Sequence, residues 1–394
     1  MNDYPEAIQI ELTDRCNGRC VMCHHYYEEN RRSGDMPLKV FDKLSEYIPH
    51  AELVFLNGYG ESMLSRHFDE CIQKIAESKA KAIITTNLSI LSEKTLGLVP
   101  DVFGMINVSC HGPDRESYER ISMGLDFSAF VYNLDRLSSS VAKETCAEKK
   151  AELCLSVVAM AANILQAEEF VGFAHKYGIP KIRFGRLGIN AFLQNHDLDL
   201  IAFPDAAKHC FDAASNRARE MGIEIVFPAN YSGATSNEEA KAMQLESLSA
   251  LPFPYCRPHA DDCAEKYYAM HQDGNYQKKD LTPMERGIQC EGICDWVAKG
   301  LYIDKNGDCY PCCESKAVCY GNIVDSGYEE MLKSPQAENI VRLFESGTLP
   351  GFCYNCPFIL NGELPSLHVF SVDSVSGSPV YEYTDIKEVD SANA

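Results

Sequence analysis

Along the first two hundred residues, short apolar runs alternate with longer stretches whose apolar residues recur three and four apart. Runs at 8–12, 53–57, 82–86, 105–109, 153–160 and 181–184 have the length of strands. Between them, sets such as Phe68, Cys71, Ile72 and Ile75, or Phe170, Phe173 and Ala174, mark one apolar helical face. Six such alternations predict βα units, hence an α/β fold with a parallel sheet and right-handed crossovers. An open doubly wound sheet and a partial barrel share this pattern, and periodicity does not separate them. A seventh unit is expected from a helix over 205–221 and a strand over 223–227. The pattern then changes: 229–289 is polar and irregular, 290–362 is compact and rich in Cys, and 363–394 is a tail of Ser, Asp and Val.

The 394 residues carry 36 Lys+Arg against 57 Asp+Glu, a net charge of −21. Phosphate contacts need clustered basic residues, so nucleic acid and an anionic membrane surface are not expected as partners. The longest mostly apolar stretch, 153–165, is interrupted by Ser156 and Asn163 and falls short of the ~20 residues of a membrane span. The start, Met1-Asn2-Asp3-Tyr4-Pro5-Glu6, lacks the basic and apolar regions of a signal peptide. A cytoplasmic location is therefore expected. There, 18 cysteines point to metal ligation or redox chemistry rather than to disulfides.

The first strand runs into Cys16-x3-Cys20-x2-Cys23. Three thiolates on one loop can converge on one metal centre; a [4Fe–4S] cluster normally takes four, so three leave one iron open for an exogenous ligand. This loop resembles the cluster loop of the radical S-adenosylmethionine (radical SAM) superfamily. Asn57-Gly58-Tyr59-Gly60-Glu61-Ser62 is similar to that family's G-x-G-E-P segment, with Ser62 in place of Pro. Thr85-Thr86-Asn87 resembles its T-N-G, and Ser109-Cys110-His111-Gly112 its S-x-D-G, with His111 where Asp is common. The resemblance implies a partial (βα)6 TIM-like barrel over 1–228. It also implies cluster ligation by Cys16, Cys20 and Cys23, Met22 beside the adenine, and Gly58, Gly60 and Glu61 at the methionine end. Asn107 and Ser109 become candidates for the ribose.

The second cysteine set holds Cys294, Cys312, Cys353 and Cys356, with Lys305-Asn306-Gly307 as a hairpin signal between two short strands. Cys309-x2-Cys312 with Cys353-x2-Cys356 has the form of a zinc ribbon. The 40 residues between the pairs, however, exceed the usual ~15–20. Trp296, Gly307-x4-Cys312, Gly321-Asn322 and Cys353-x2-Cys356 instead resemble the SPASM/twitch auxiliary module of radical SAM enzymes. That resemblance implies one auxiliary [4Fe–4S] cluster on Cys294, Cys312, Cys353 and Cys356. Cys256, Cys263, Cys290, Cys309, Cys313 and Cys319 are surplus, so a second auxiliary cluster stays open. Cys71, Cys110, Cys146, Cys154 and Cys210 are scattered, and most of them are expected to be buried apolar residues.

Such a protein is expected to cleave S-adenosylmethionine reductively to a 5′-deoxyadenosyl radical, fed by a one-electron donor such as flavodoxin or ferredoxin. The radical takes a substrate hydrogen, and the auxiliary cluster suits a net two-electron oxidation. A small sugar- or cyclitol-like alcohol is the expected substrate of this oxidoreductase, because little chain precedes Cys16 for a peptide-binding domain. Modification of a peptide or protein side chain is the alternative, and a non-catalytic zinc protein the third class. Arg183, Arg186 and His111 are candidates for proton transfer or for stabilising the oxidised carbon's oxygen.

Overall fold

Seven strands follow the chain in order and pair parallel with their sequence neighbours: β1 (Ala7–Ile10), β2 (Leu53–Leu56), β3 (Lys81–Thr86), β4 (Phe103–Ser109), β5 (Glu152–Ala159), β6 (Lys181–Arg186) and β7 (Glu224–Val226). The structure is a computed structural model. It describes residues 4–23, 34–187, 198, 200, 203–228, 238–249, 293–313, 315, 318–350, 353 and 356, and four two-residue strands in the tail.

Between the strands lie α1 (Leu38–Ser45), α2 (Phe68–Ala76), α3 (Glu93–Val102), α4 (Arg115–Ile121), α5 (Phe127–Lys143), α6 (Ala167–Lys176) and α7 (Pro204–Met221). Side-chain caps fix where several begin. Ser92 accepts from Thr95 N, Asp114 from Ser117 N and Asp126 from Ala129 N, each satisfying an N–H that the first helical turn leaves without a carbonyl. The result is a partial TIM-like barrel, with β7 added as a short seventh strand. Within 229–289, expected to be irregular, α8 (Glu238–Ser249) is helical. Gln244 Oε1 accepts the Asp205 and Ala206 N–H groups at the start of α7, both at 3.0 Å. The rest of that segment, with Cys256 and Cys263, lies outside the described residues, as does Cys290 beyond it.

Alternation along the strands sorts the two faces. Ile8, Ile10, Val54, Leu56, Ile84, Ile106, Val108, Leu155, Ile182 and Phe184 join the helices in one buried core. The opposite face begins apolar, with Ala7, Phe55, Ile83 and Met105 packed together near the strands' N-terminal ends. Towards the C-terminal ends the same face turns polar. Thr85 pairs with Asn107, Ser109 with Ser156, and Ser156 with Arg183.

The Cys-rich region continues this sheet rather than standing apart from it. After α9 (Asp295–Lys299), β8 (Gly300–Ile303) pairs parallel with β1 on the edge away from β2, from Ala7↔Gly300 to Ile10↔Ile303. Then β9 (Asp308–Tyr310) and β10 (Gly321–Asn322) extend it antiparallel, giving ten strands in one sheet. The turn is the one its residues predict: Gly307 has φ 89°, and Asp304 Oδ1 accepts from Asn306 N and Asp308 N. Two helices, α10 (Tyr328–Leu332) and α11 (Pro335–Glu345), come next. In the tail, β11 (Glu363–Leu364) pairs with β14 (Thr384–Asp385), and β12 (Ser371–Val372) with β13 (Pro379–Val380). No helix among the described residues is long and apolar enough to cross a membrane.

At the foot of β6, the Lys181 side chain is 2% exposed and sits 3.2 Å from Glu152 and 3.0 Å from Glu224. Lys181→Ala is expected to lower stability by about 2–3 kcal/mol, less than for a fully buried pair because Glu224 is exposed. A denaturant titration reads this, and adding Glu152→Gln should recover part of the loss.

Candidate functional site

The loop after β1 is fixed by backbone contacts before any of its sulfurs is considered. Arg19 N donates to Met123 O and Val21 N to Ile121 O, so residues 19–21 lie along the end of α4. Cys23 N closes a turn onto Cys20 O at 3.0 Å. Ahead of Cys16, the Arg15 guanidinium takes Asp35 Oδ1 at 2.7 Å and Leu64 O at 2.7 Å, while Arg66 Nε takes Asp35 Oδ2 at 3.0 Å. Burial acts to raise the Asp35 pKa, but hydrogen bonds from Arg15, Arg66 and Thr13 outweigh it and hold the carboxyl at about 2.

Within the loop the three thiols are neighbours. Burial pushes the Cys20 thiol up to about 12, with Cys23 and then Cys16 adding like-charge repulsion, while a hydrogen bond from Ser122 acts against the rise. Gly18 N donates to Cys16 Sγ at 3.4 Å, and Asn87 Nδ2 lies 3.9 Å from the same sulfur. Met22 is buried with Val21, Ile121, Met160, Leu187 and Leu198 in an apolar wall beside the cysteines.

The turn after β2 crosses the stem of this loop. A Cβ at Gly60 would lie 2.5 Å from the carbonyl oxygens of both Thr13 and Arg15, and Glu61 N donates to Arg15 O at 2.8 Å. Glycine is needed here for the approach of one backbone to another. The Glu61 carboxylate, 4% exposed, accepts Thr86 Oγ1 at 2.8 Å, Asn87 N at 2.7 Å and Met63 N at 3.3 Å. Burial nevertheless raises its pKa. With about four acceptor positions on a carboxylate, one remains. Ser62, standing where Pro was expected, is used: its hydroxyl donates to Leu56 O at 2.9 Å. Beyond Asn87 the chain bends through Leu88 at φ 52°, a left-handed conformation costing a non-glycine residue about 1 kcal/mol. Thr86 Oγ1 accepts Leu88 N and Asn133 Nδ2 donates to Leu88 O, holding the bend.

In the barrel interior, Asn107 is 8% exposed and its Oδ1 has no hydrogen-bond partner. Ser109 comes next on the same face, half-buried, in the row with Ser156 and Arg183. Alternation separates the two arginines: Arg183 shares the inner face, whereas Arg186 has the parity of Phe184, which packs on the helix side against Phe170 and Phe211. His111 Nδ1 accepts Val158 N at 3.2 Å, which leaves the ring proton on Nε2, and burial lowers its pKa to about 4. The imidazole is therefore neutral, with a donor rather than a lone pair to offer.

The second cysteine set lies towards the other end of the sheet, because Cys294 precedes β8 and Cys312 comes after β9. Burial pushes Cys294 up to about 12, and Cys312 and Cys356 add to the rise. Cys353 is buried, and Cys356 N donates to its carbonyl at 3.0 Å. Cys309 instead neighbours Cys319, and the two thiols donate to Gly307 O and Gly321 O. Trp296 packs on Phe55 with centroids 5.1 Å apart, beneath the barrel floor. Most of the scattered cysteines are buried as expected: Cys71, Cys110, Cys154 and Cys210 are, and Cys146 is exposed.

Residues 294–357 match the SPASM family, described as an iron–sulfur cluster-binding domain. The chain is similar to a tungsten-containing aldehyde ferredoxin oxidoreductase cofactor-modifying protein of Pyrococcus furiosus, 29% identical over 92 residues, which cover 23% of this chain and 26% of that protein. It is 31% identical over 125 residues to the GTP 3′,8-cyclase of Aquifex aeolicus, covering 29% of this chain and 38% of that enzyme. Its fold is similar to that of Streptococcus suis SuiB bound to the precursor peptide SuiA: TM-score 0.56 at 14% identity, over 98% of this chain and 76% of that one. Residues 294–357 form a SPASM domain, in a chain whose sequence relatives and fold are similar to those of radical SAM proteins. Its aligned segments span about a quarter to a half of the curated relatives' own lengths (26–54%).

The residues present fit the groups that radical SAM proteins carry. Clustered thiols that repel one another as thiolates are stabilised by cluster iron. The unpartnered Asn107 Oδ1 is a buried acceptor lacking a donor, which a ribose hydroxyl would supply. Among the described residues no three Cys, His, Asp or Glu side chains converge on the point one ion would occupy. A four-iron cluster places its thiolates on separate irons, further apart than the ligands of one ion. Sequence reasoning did not find Asp35, Ser122 or the role of Thr86. The signal for Thr86 lay within the motif, whereas Ser122 and Asp35 belong to no motif.

Asp35 has a consequence for acid stability. A carboxyl held at about 2 in the folded chain, against 3.8 ordinarily, stabilises fully above about pH 4, and that contribution is lost as pH falls through about 2. In metal-free protein, wild type should melt above Asp35→Asn at pH 6, and the gap should close towards pH 2.

Proposed function

We propose that the chain reductively cleaves S-adenosylmethionine and uses the resulting radical to take a hydrogen from a small sugar- or cyclitol-like alcohol, for a net two-electron oxidation. The supporting observation is that two cysteine sets lie towards opposite ends of one barrel interior that turns polar in between. When bound, a [4Fe–4S] cluster with one open iron supplies the electron that splits the sulfonium to methionine and a 5′-deoxyadenosyl radical. Cys16, Cys20 and Cys23 would hold that cluster, and Cys294, Cys312, Cys353 and Cys356 an auxiliary one whose irons are all ligated by protein.

The remaining acceptor position of Glu61 suits the methionyl ammonium, and Asn107 Oδ1 suits a ribose hydroxyl, with Ser109 two residues further on the same face. Met22 and the apolar wall around it exclude water from the adenine side. Arg183, on the inner face with Ser109 and Ser156, would stabilise negative charge growing on the alcohol oxygen. His111 would contribute an Nε2–H donor rather than a base, and Arg186 lies on the other parity. An external flavodoxin or ferredoxin would supply the electron. A second reading, oxidation or cross-linking of a peptide side chain, is favoured by the likeness in fold to the SuiB chain that holds a precursor peptide.

Protein purified without oxygen should be brown and carry about eight iron per chain, from two four-iron clusters. With reductant it should release 5′-deoxyadenosine. Cys16→Ala should abolish that product while keeping the auxiliary iron. Absence of 5′-deoxyadenosine from wild type, or its persistence in Cys16→Ala, would contradict the assignment.

A further inference from the structure

Glu11 is buried at 4% exposure just past β1, in the stem that leads to the cluster loop. Its Oε2 accepts two hydrogen bonds from distant parts of the chain. One comes from the Tyr302 hydroxyl of β8 at 2.7 Å, the other from Tyr59 N in the glycine turn at 3.2 Å. The contact with the turn is also steric: a Cβ at Gly58 would lie 2.5 Å from Glu11 Cγ. Tyr302 itself is 1% exposed, and pairing with Gln9 places it on the inner face of the sheet. Burial, then the neighbouring Glu11, pushes its pKa far up, so the phenol stays a donor. The same hairpin reaches the loop stem again through Lys305 Nζ, 3.4 Å from Asp14 Oδ2.

We infer that Tyr302 of the auxiliary hairpin is a positioning residue for S-adenosylmethionine, acting through Glu11 on the turn at Gly58 and Tyr59. This rests on the reading of that turn as the methionine end of the site. Without the phenol hydroxyl, a buried acceptor loses its shorter hydrogen bond. The Glu11 side chain is then held less firmly against Gly58 and under Tyr59 N, and the turn carrying Glu61 is less firmly fixed above the loop. Because coupling between sites is reciprocal, bound S-adenosylmethionine should in turn favour the seated hairpin. The auxiliary domain is thus part of the first site as well as the holder of the second.

The test uses anaerobic holoenzyme, equilibrium dialysis of S-adenosylmethionine, iron analysis, and the paramagnetic signal of the reduced first cluster with and without S-adenosylmethionine. Tyr302→Phe should keep the iron of both clusters, bind about fivefold more weakly, as the loss of one hydrogen bond predicts, and show a smaller ligand-induced change in the signal. Glu11→Gln keeps an oxygen able to accept both donors and should stay within about twofold of wild type, whereas Glu11→Leu should fall at least as far as Tyr302→Phe. Equal binding by wild type and Tyr302→Phe overturns the inference, as does iron loss in Tyr302→Phe or a Glu11→Gln as weak as Glu11→Leu. If wild type itself binds no S-adenosylmethionine, the proposed function fails as well.

Discussion

Strand β1 is held on both edges, and the placement of both cysteine sets depends on that. A parallel sheet ending at β1 would leave a row of unpaired N–H and C=O groups beside the strand that carries the three-cysteine loop. Instead β8 pairs along its whole length, and Glu11 N continues the ladder to Ile303 O at 3.0 Å. Direction then does the rest. Because β8 runs parallel to β1, the residues before it lie at the foot of the barrel and those after it lie near the mouth. Cys294 and Trp296 therefore stand at the end opposite Cys16, Cys20 and Cys23, while Asp304 and Lys305 reach the side of the three-cysteine loop.

The interior of the barrel is graded rather than uniformly apolar. Phe55, Ile83, Met105 and Trp296 close the floor, and polar rows across β3 to β6 line the upper half. Buried polar atoms of this kind are costly unless partnered, and most here are partnered by protein. Glu61 has three donors, Asn57 Oδ1 takes Thr85 N at 2.7 Å, and His111 takes Val158 N. Against that background Asn107 Oδ1 is one of four buried side-chain atoms among the described residues without a hydrogen-bond partner, and the proposed function gives it a ribose hydroxyl. Under the proposed function, an acidic chain with an inner arginine at position 183 would separate its net charge from the charge it offers a substrate.

The strands were legible because a buried parallel strand must be a short apolar run. All six predicted runs coincide with β1 to β6, with no end shifted by more than two residues. The hairpin was legible because Gly307 is the residue able to adopt φ 89° in that turn without strain. Strand parity also held the information that separates Arg183 from Arg186, although position at the end of β6 suggested a shared direction. Helix α8 was hidden by a polar neighbourhood, since a helix that buries little more than Leu248 has almost no apolar face to announce it.

The amino-acid sequence by itself determined the βα order, the three-cysteine loop and the second cysteine set, because each is a local pattern set by the period of a strand or helix or by a fixed spacing. Only the tertiary structure decided what those patterns meet. Asp35 against Arg15, Ser122 against Cys20, and Tyr302 against Glu11 across 291 positions are contacts between residues that no spacing relates. They arise when parallel strands and their crossovers bring separate turns to one end of a sheet, and a side chain's partner there is fixed by register and burial rather than by its neighbours in the chain.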